Sequence, residues 1–273
     1  MIAVLLMALT LTSCSTRFLY NQLDWLLPWY LEDYVSVESQ QQPAFDATLT
    51  EFLNWHRAEQ LPLYAQYVAS LKPVVAQPTP HDIERHIDRL DGFINQLYHQ
   101  FGVDFVPLIA SLTEAQKSEL ITNVRAKNQD YANDYIAIGE AAARRKGAEK
   151  MQEIFDDWLG ALSPEQQQRI QAFTQQTQWM SPGLLAARKQ WADRLEALLT
   201  SSPNVNQTEL LTLFEQRRLF WDTELKAQYR HNVALLVTLL NATLKNLSPA
   251  QQAHLLNRLN DYQRDFTLLS RQS

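Results

Sequence analysis

A single cysteine, Cys14, occurs in the 273 residues, so no internal disulfide can form and pairing says nothing about redox compartment. Only six glycines and eleven prolines are present, too few for a protein built of many tight turns. No run of five like charges occurs, and 24 Lys and Arg stand against 30 Asp and Glu. The basic footprint of a nucleic-acid partner is therefore missing. No apolar run reaches the roughly twenty residues that a membrane-spanning helix needs. Also absent are HExxH, a cysteine cluster, an acidic Ca²⁺ loop, GxSxG and a glycine-rich phosphate loop. These absences predict no metal and no cofactor, and they point away from an enzyme.

What is present is rich in Leu, Ala and Gln, a composition of long helices. Hydrophobic residues make up 46% of the chain, enough for a core. The expected fold is all-α: an elongated multi-helix bundle of long antiparallel helices, seven or eight in number.

The first fourteen residues carry the clearest message. Ile2 to Leu11 is an apolar run that fits the core of a secretory signal. It leads into Leu11-Thr12-Ser13-Cys14, which resembles a bacterial lipobox. That resemblance implies a signal peptide over 1–13 and a mature chain over 14–273 whose Cys14 thiol carries a lipid. Several acyl chains, each contributing roughly 0.8 kcal/mol per buried CH₂, give stable membrane attachment. Ser15 rather than Asp after the cysteine resembles sorting to the outer membrane, facing the periplasm. A signal should open with Lys or Arg; "MIAV" has neither, so the true start is expected upstream, with Met1 an internal start.

Next comes RFLYNQLDWLLPWYLEDYV (17–35), with Leu19, Leu23, Leu26 and Leu27 at helical spacing and Pro28 ending or restarting the helix. Two readings apply. One is an interfacial helix with Trp and Tyr at headgroup level. The other is a core helix under the bundle, favoured because Asp24, Glu32 and Asp33 stand where interfacial helices carry Lys and Arg.

That segment, with LNWHRAEQLPLYAQYVASL and ARRKGAEKMQEIFDDWLGALSPEQQQRI, resembles an uncharacterised family of proteobacterial lipoproteins. The resemblance implies a helical, lipid-anchored protein and brings no activity with it.

Further along, Lys72 to Asp82 reads as the clearest loop and a possible sub-boundary, with Thr79 and Pro80 opening a helix to about Gln100. Gly102 and Pro107 should bracket a short element. A long helix is expected over 113–159, and another of about forty residues from Leu210 to Leu244. Thr200 to Thr208 reads as a loop.

One pattern occurs three times: LTEAQKSEL (112–120), LSPEQQQRI (162–170) and LSPAQQAHL (247–255). Each is a capping box, in which the hydroxyl caps the amide three residues on and Gln reaches back to the cap's own N–H. The pattern also resembles the LTxxQ signature of periplasmic stress chaperones of the Spy/CpxP kind, which implies a cradle for unfolded clients. The cap has its own energetic reason, about 1 kcal/mol, and explains the repeat without a client.

Candidate interaction residues are Trp55, His56 and Arg57, since Trp and Arg anchor interfaces, and Arg144 with Arg145 in the one concentrated basic cluster. Against them stand a buried Trp55 and solvated arginines. His81 and His86, five apart on a helix, share no face for a metal. Asp156 and Asp157 beside Trp158 read as a solvated helix side. Glu215, Arg217, Arg218 and Asp222 around Trp221 predict a polar network inside the bundle. The function expected is a non-enzymatic envelope lipoprotein, held to the membrane by its lipid, that binds other envelope proteins as adaptor, assembly factor or scaffold. A holdase-like chaperone is the alternative, and an enzyme or lipid-binding protein a third.

Overall fold

The computed structural model describes residues 13–200 and 205–272. Most of the expected signal stretch and residues 201–204 of the expected loop lie outside them. The described residues are helical, without a strand among them. The helices are α1 (Ser13–Tyr20), α2 (Leu23–Glu32), α3 (Gln42–Trp55), α4 (Leu61–Ala76), α5 (Pro80–Ala110), α6 (Glu114–Tyr135), α7 (Glu140–Leu159), α8 (Pro164–Gln176), α9 (Ser181–Thr200), α10 (Gln207–Glu215), α11 (Thr223–Lys245) and α12 (Pro249–Leu269). Between α3 and α4, His56–Gln60 winds as a π-turn, closed by the Leu61 amide bonding five residues back to the His56 carbonyl.

Helix starts follow local chemistry. Thr113, Ser163 and Ser248 each cap the amide three residues on, and Gln116, Gln166 and Gln251 each accept from the cap's own N–H. All three expected capping boxes are formed. Thr79 caps α5 with Pro80 in the first turn, as expected.

Several expected boundaries move. The long helix over 113–159 breaks at 136–139, where Gly139 adopts φ +76°, a conformation that strains any side chain. The forty-residue helix breaks at 216–222, because Arg217 and Arg218 are both drawn to Asp91 of α5, each at 2.7 Å. Asp222 then caps α11. Conversely, α5 runs unbroken past Gly102 for 31 residues, about 46 Å. Gly102 marks a close approach instead: a Cβ there would lie 2.7 Å from Leu211 Cδ1 on α10. The loop expected over 72–82 shrinks to 77–79, since α4 continues through Pro73 to Ala76. Pro28 lies inside α2 without ending it.

The apolar stripes converge on two principal centres. Val68, Phe155, Ile170, Leu239, Leu255 and Leu259 join α4, α7, α8, α11 and α12. Val106, Ile121, Leu195, Leu199, Leu210 and Leu213 join α5, α6, α9 and α10. Burying a Leu or Ile this fully stabilises the fold by roughly 1.5–3 kcal/mol per side chain. A third cluster, Phe45, Leu49, Phe52, Leu97 and Phe105, fastens α3 to α5.

The arrangement occurs twice along the chain. Gln41, just before α3, accepts from the Glu38 N–H as the capping glutamines do, and exchanges amide hydrogen bonds with Gln116 at the start of α6 (2.6 and 3.0 Å). Gln166 of α8 and Gln251 of α12 make the same reciprocal pair (3.1 and 2.9 Å), buried from solvent. Phe45 and Ile170, four residues beyond Gln41 and Gln166, are both core. Helix α3 packs on α5, and α8 on α11. The two sets then trade a helix: α4 of the first packs on α12 of the second, and α9 of the second on α6 of the first.

Candidate functional site

The residues Trp55, His56 and Arg57 stand together at the end of α3 and the start of the π-turn, where the wider winding turns His56 and Arg57 toward α1. Rather than a free surface, His56 and Arg57 form a seat for α1, while Trp55 packs on Phe52 beside the α3–α5 cluster. The Tyr20 hydroxyl is 2.9 Å from His56 Nδ1, and the Arg57 guanidinium lies over the Tyr20 ring at 5.3 Å. Tyr64 meets His56 edge-on and Phe266 of α12 likewise. One turn earlier, Arg17 Nε stands 3.2 Å from the enclosed carboxylate of Asp265, with Arg264 next nearest at 4.0 Å. Helix α1, which contains Cys14, is thus held against α12 and the π-turn at two points.

Burial sets the protonation of this seat. It pushes His56 down to about 4, with the Arg57 charge acting in the same direction. Burial pushes Tyr20 up to about 12, and Arg57 offsets only part of that. Burial also raises the Asp265 carboxyl above the usual carboxylate value, although Arg17 and Arg264 oppose it. The imidazole is therefore neutral at pH 7, and an uncharged hydrogen bond joins α1 to the turn.

The second candidate pair divides. Arg144 donates to the Thr174 and Thr177 carbonyls, each at 2.7 Å, and so caps the C-terminus of α8 while also bonding Glu140. A cation at the carbonyl end of a helix is where the helix dipole favours it. Arg145 is exposed, and Lys146 lies over Tyr135. Of the acidic neighbours of Trp158, Asp156 is exposed as expected and accepts from the Leu162 amide, whereas Asp157 is half-buried and pairs with Arg258 at 2.8 Å. The network expected around Trp221 forms only in part and at a helix break: Arg217 and Arg218 share Asp91, and Arg218 also bonds the Tyr229 hydroxyl and covers the Trp221 ring, whereas Glu215 meets His99 and Asp222 caps α11.

An open cleft of about 210 Å³ lies between α4, α5, α7, α11 and α12, lined by side chains such as Leu71, Ile83, Trp158 and Leu240. Its lining is almost wholly apolar and lacks the converging polar groups with which small-molecule sites fix a ligand. No group of three or more His, Cys, Asp or Glu that could hold a metal ion occurs among the described residues. No single described helix is long and apolar enough to cross a membrane.

Sequence reasoning missed Asp265, Arg17 and Tyr20, whose signal is a contact between residues at opposite ends of the chain. Gln41 was visible as Gln three residues after Glu38 and just before Pro43, but without a Ser or Thr cap to mark it. The core-helix reading of 17–35 proved partial. Leu27 and Leu31 pack beside the α3–α5 cluster, yet Phe18, Trp25 and Trp29 are exposed and α2 has no buried residue.

Fold and site together define an all-helical protein in which an N-terminal helix is docked on a two-centred helical body. The chain belongs to a family of unknown function, DUF6279, whose profile matches residues 33–230. No curated protein and no solved structure matches it.

Proposed function

We propose that this is a lipid-anchored bacterial envelope protein, tethered through Cys14 to the outer membrane and facing the periplasm, which acts by binding other envelope proteins rather than by catalysis. On this reading its helices form an elongated, largely antiparallel bundle that presents extended surfaces to a partner. The observation that carries the proposal is the seat of α1. Arg17–Asp265 and Tyr20–His56 join the helix containing Cys14 to the body without a flexible linker. A tether so mounted holds the body at a fixed height and orientation above the bilayer, which suits an adaptor or scaffold.

Two measurements test it. Palmitate labelling should be present in the wild type and lost in Cys14→Ala; labelling that persists sinks the anchor. In-cell crosslinking of the tagged protein, read by mass spectrometry, should capture one or two stoichiometric envelope proteins. A broad, stress-dependent set of unfolded clients would favour the holdase reading, with the apolar cleft as its contact. The capping glutamines give that alternative little support, because their amides are already engaged in the pairs Gln41–Gln116 and Gln166–Gln251.

A further inference from the structure

Phe18, Trp25 and Trp29 are 69%, 54% and 65% exposed, and the next most exposed large apolar side chain among the described residues, Leu90, is at 46%. Scattered exposed apolar residues are ordinary, but here the three most exposed fall within twelve consecutive positions. They begin one helical turn, about 6 Å, after Cys14.

Resting on the lipid-anchored reading, we propose that the exposed aromatic face of α2, Trp25 with Trp29, lies in the headgroup region of the bilayer to which Cys14 is tethered, so that the protein sits on the membrane as well as hanging from it. Trp25 and Trp29 are four apart, on one side of α2. Leu27 and Leu31, two positions further on and about 200° around the axis, pack toward the α3–α5 cluster. The helix is fixed from behind: Lys127 pairs with Asp33 at 2.8 Å, and Asn123 donates to the Tyr34 carbonyl at 3.0 Å. Its tryptophans are thereby mounted outward on a rigid base. Trp is the side chain that membrane interfaces favour, an apolar body with one polar edge.

The charge around the face separates this mode from electrostatic binding. Asp24 and Glu32 are exposed, while Arg17 and Lys127 are occupied by Asp265 and Asp33. Nothing here calls for anionic lipid, so the contact should form on zwitterionic bilayers and be little weakened by salt.

The experiment uses the acylated full-length protein in phosphatidylcholine vesicles with brominated acyl chains, read by tryptophan fluorescence. Of seven tryptophans, Trp25 and Trp29 should be quenched and the other five not. Trp25→Phe/Trp29→Phe, which keeps the face apolar and the helix intact, should remove most of the quenching. The quenching should be the same at low and at high salt. Acylated protein with no bromine quenching overturns the proposal while leaving the lipid anchor standing, as does a face that instead drives self-association, seen as a dimer that Trp25→Ser/Trp29→Ser dissolves. Absence of acylation takes down both readings.

Discussion

His56 shows how burial at one residue becomes a property of the protein. An unfolded chain protonates its imidazole near the usual 6.5, whereas the folded one holds it neutral down to about 4. Between those values the unfolded state binds more protons, so stability falls as pH is lowered from about 6.5 to about 4. The upper limit of that loss is about 3 kcal/mol. Urea unfolding across this range should show the acid limb in the wild type and a flatter profile in His56→Phe. Asp265 acts with the opposite sign. Its carboxyl is raised by burial, so the folded state binds the proton more tightly and stability falls as pH rises above the ordinary carboxylate value. Asp265→Asn keeps the shape and removes the buried charge. It should melt no lower than wild type at pH 7, whereas Asp265→Ala, which also leaves a cavity beside Arg17, should melt lower. An Asp265→Asn protein several degrees less stable would show that the Arg17 ion pair outweighs the desolvation.

At the scale of elements, the glutamine pairs do two things at once. Gln116, Gln166 and Gln251 each close their own helix start, Gln41 closes the turn at Glu38, and each bonds a partner 75 or 85 residues away. Removing Gln166 alone opens the capping box at Ser163 and takes one of two partners from each amide group of Gln251, which keeps the Ala161 carbonyl and the Ser248 amide, an expected cost of about 1 kcal/mol in denaturant unfolding. The double variant Gln166→Ala/Gln251→Ala should cost less than the two single losses added together, because each single variant already loses both bonds of the pair. Strict additivity would mean that the caps act independently. The breaks between elements are equally specific. Gly139 and Gly160 both take φ +76°, and Gly139→Ala should cost on the order of 1–3 kcal/mol although a Cβ there meets nothing. The helix starts at 113, 163 and 248 were legible because a cap involves residues three apart. The break at 216–222 was not: the apolar stripe runs on through it, and only the Asp91 carboxylate on another helix draws the two arginines out of register.

The whole molecule is held by the trade of helices between its two sets. Because α4 lies on α12 and α9 on α6, neither half of the chain contains its own complete core. A protease site inserted in the full chain at the Ile138–Gly139 link should therefore be cut without separating the fragments. They should co-elute on gel filtration until denaturant is added. Fragments that part under native conditions would show that each set folds alone. The longest described helix, α5, touches α3, α10 and α11 and brings Val106 to the second centre and Leu97 and Phe105 to the α3 cluster.

The helical content, most helix starts, the capping boxes and the lipobox-like Cys14 were all determined by the sequence itself, since each rests on residues adjacent or three to four apart. The pairing of helices, the seat that His56 and Arg57 make for α1, the Gln41–Gln116 and Gln166–Gln251 contacts, and the outward mounting of Trp25 and Trp29 were decided only in the tertiary structure. An apolar stripe states that a helix must be covered; it does not state by what. A buried charge such as Asp265 is readable only once a helix from the other end of the chain has closed over it.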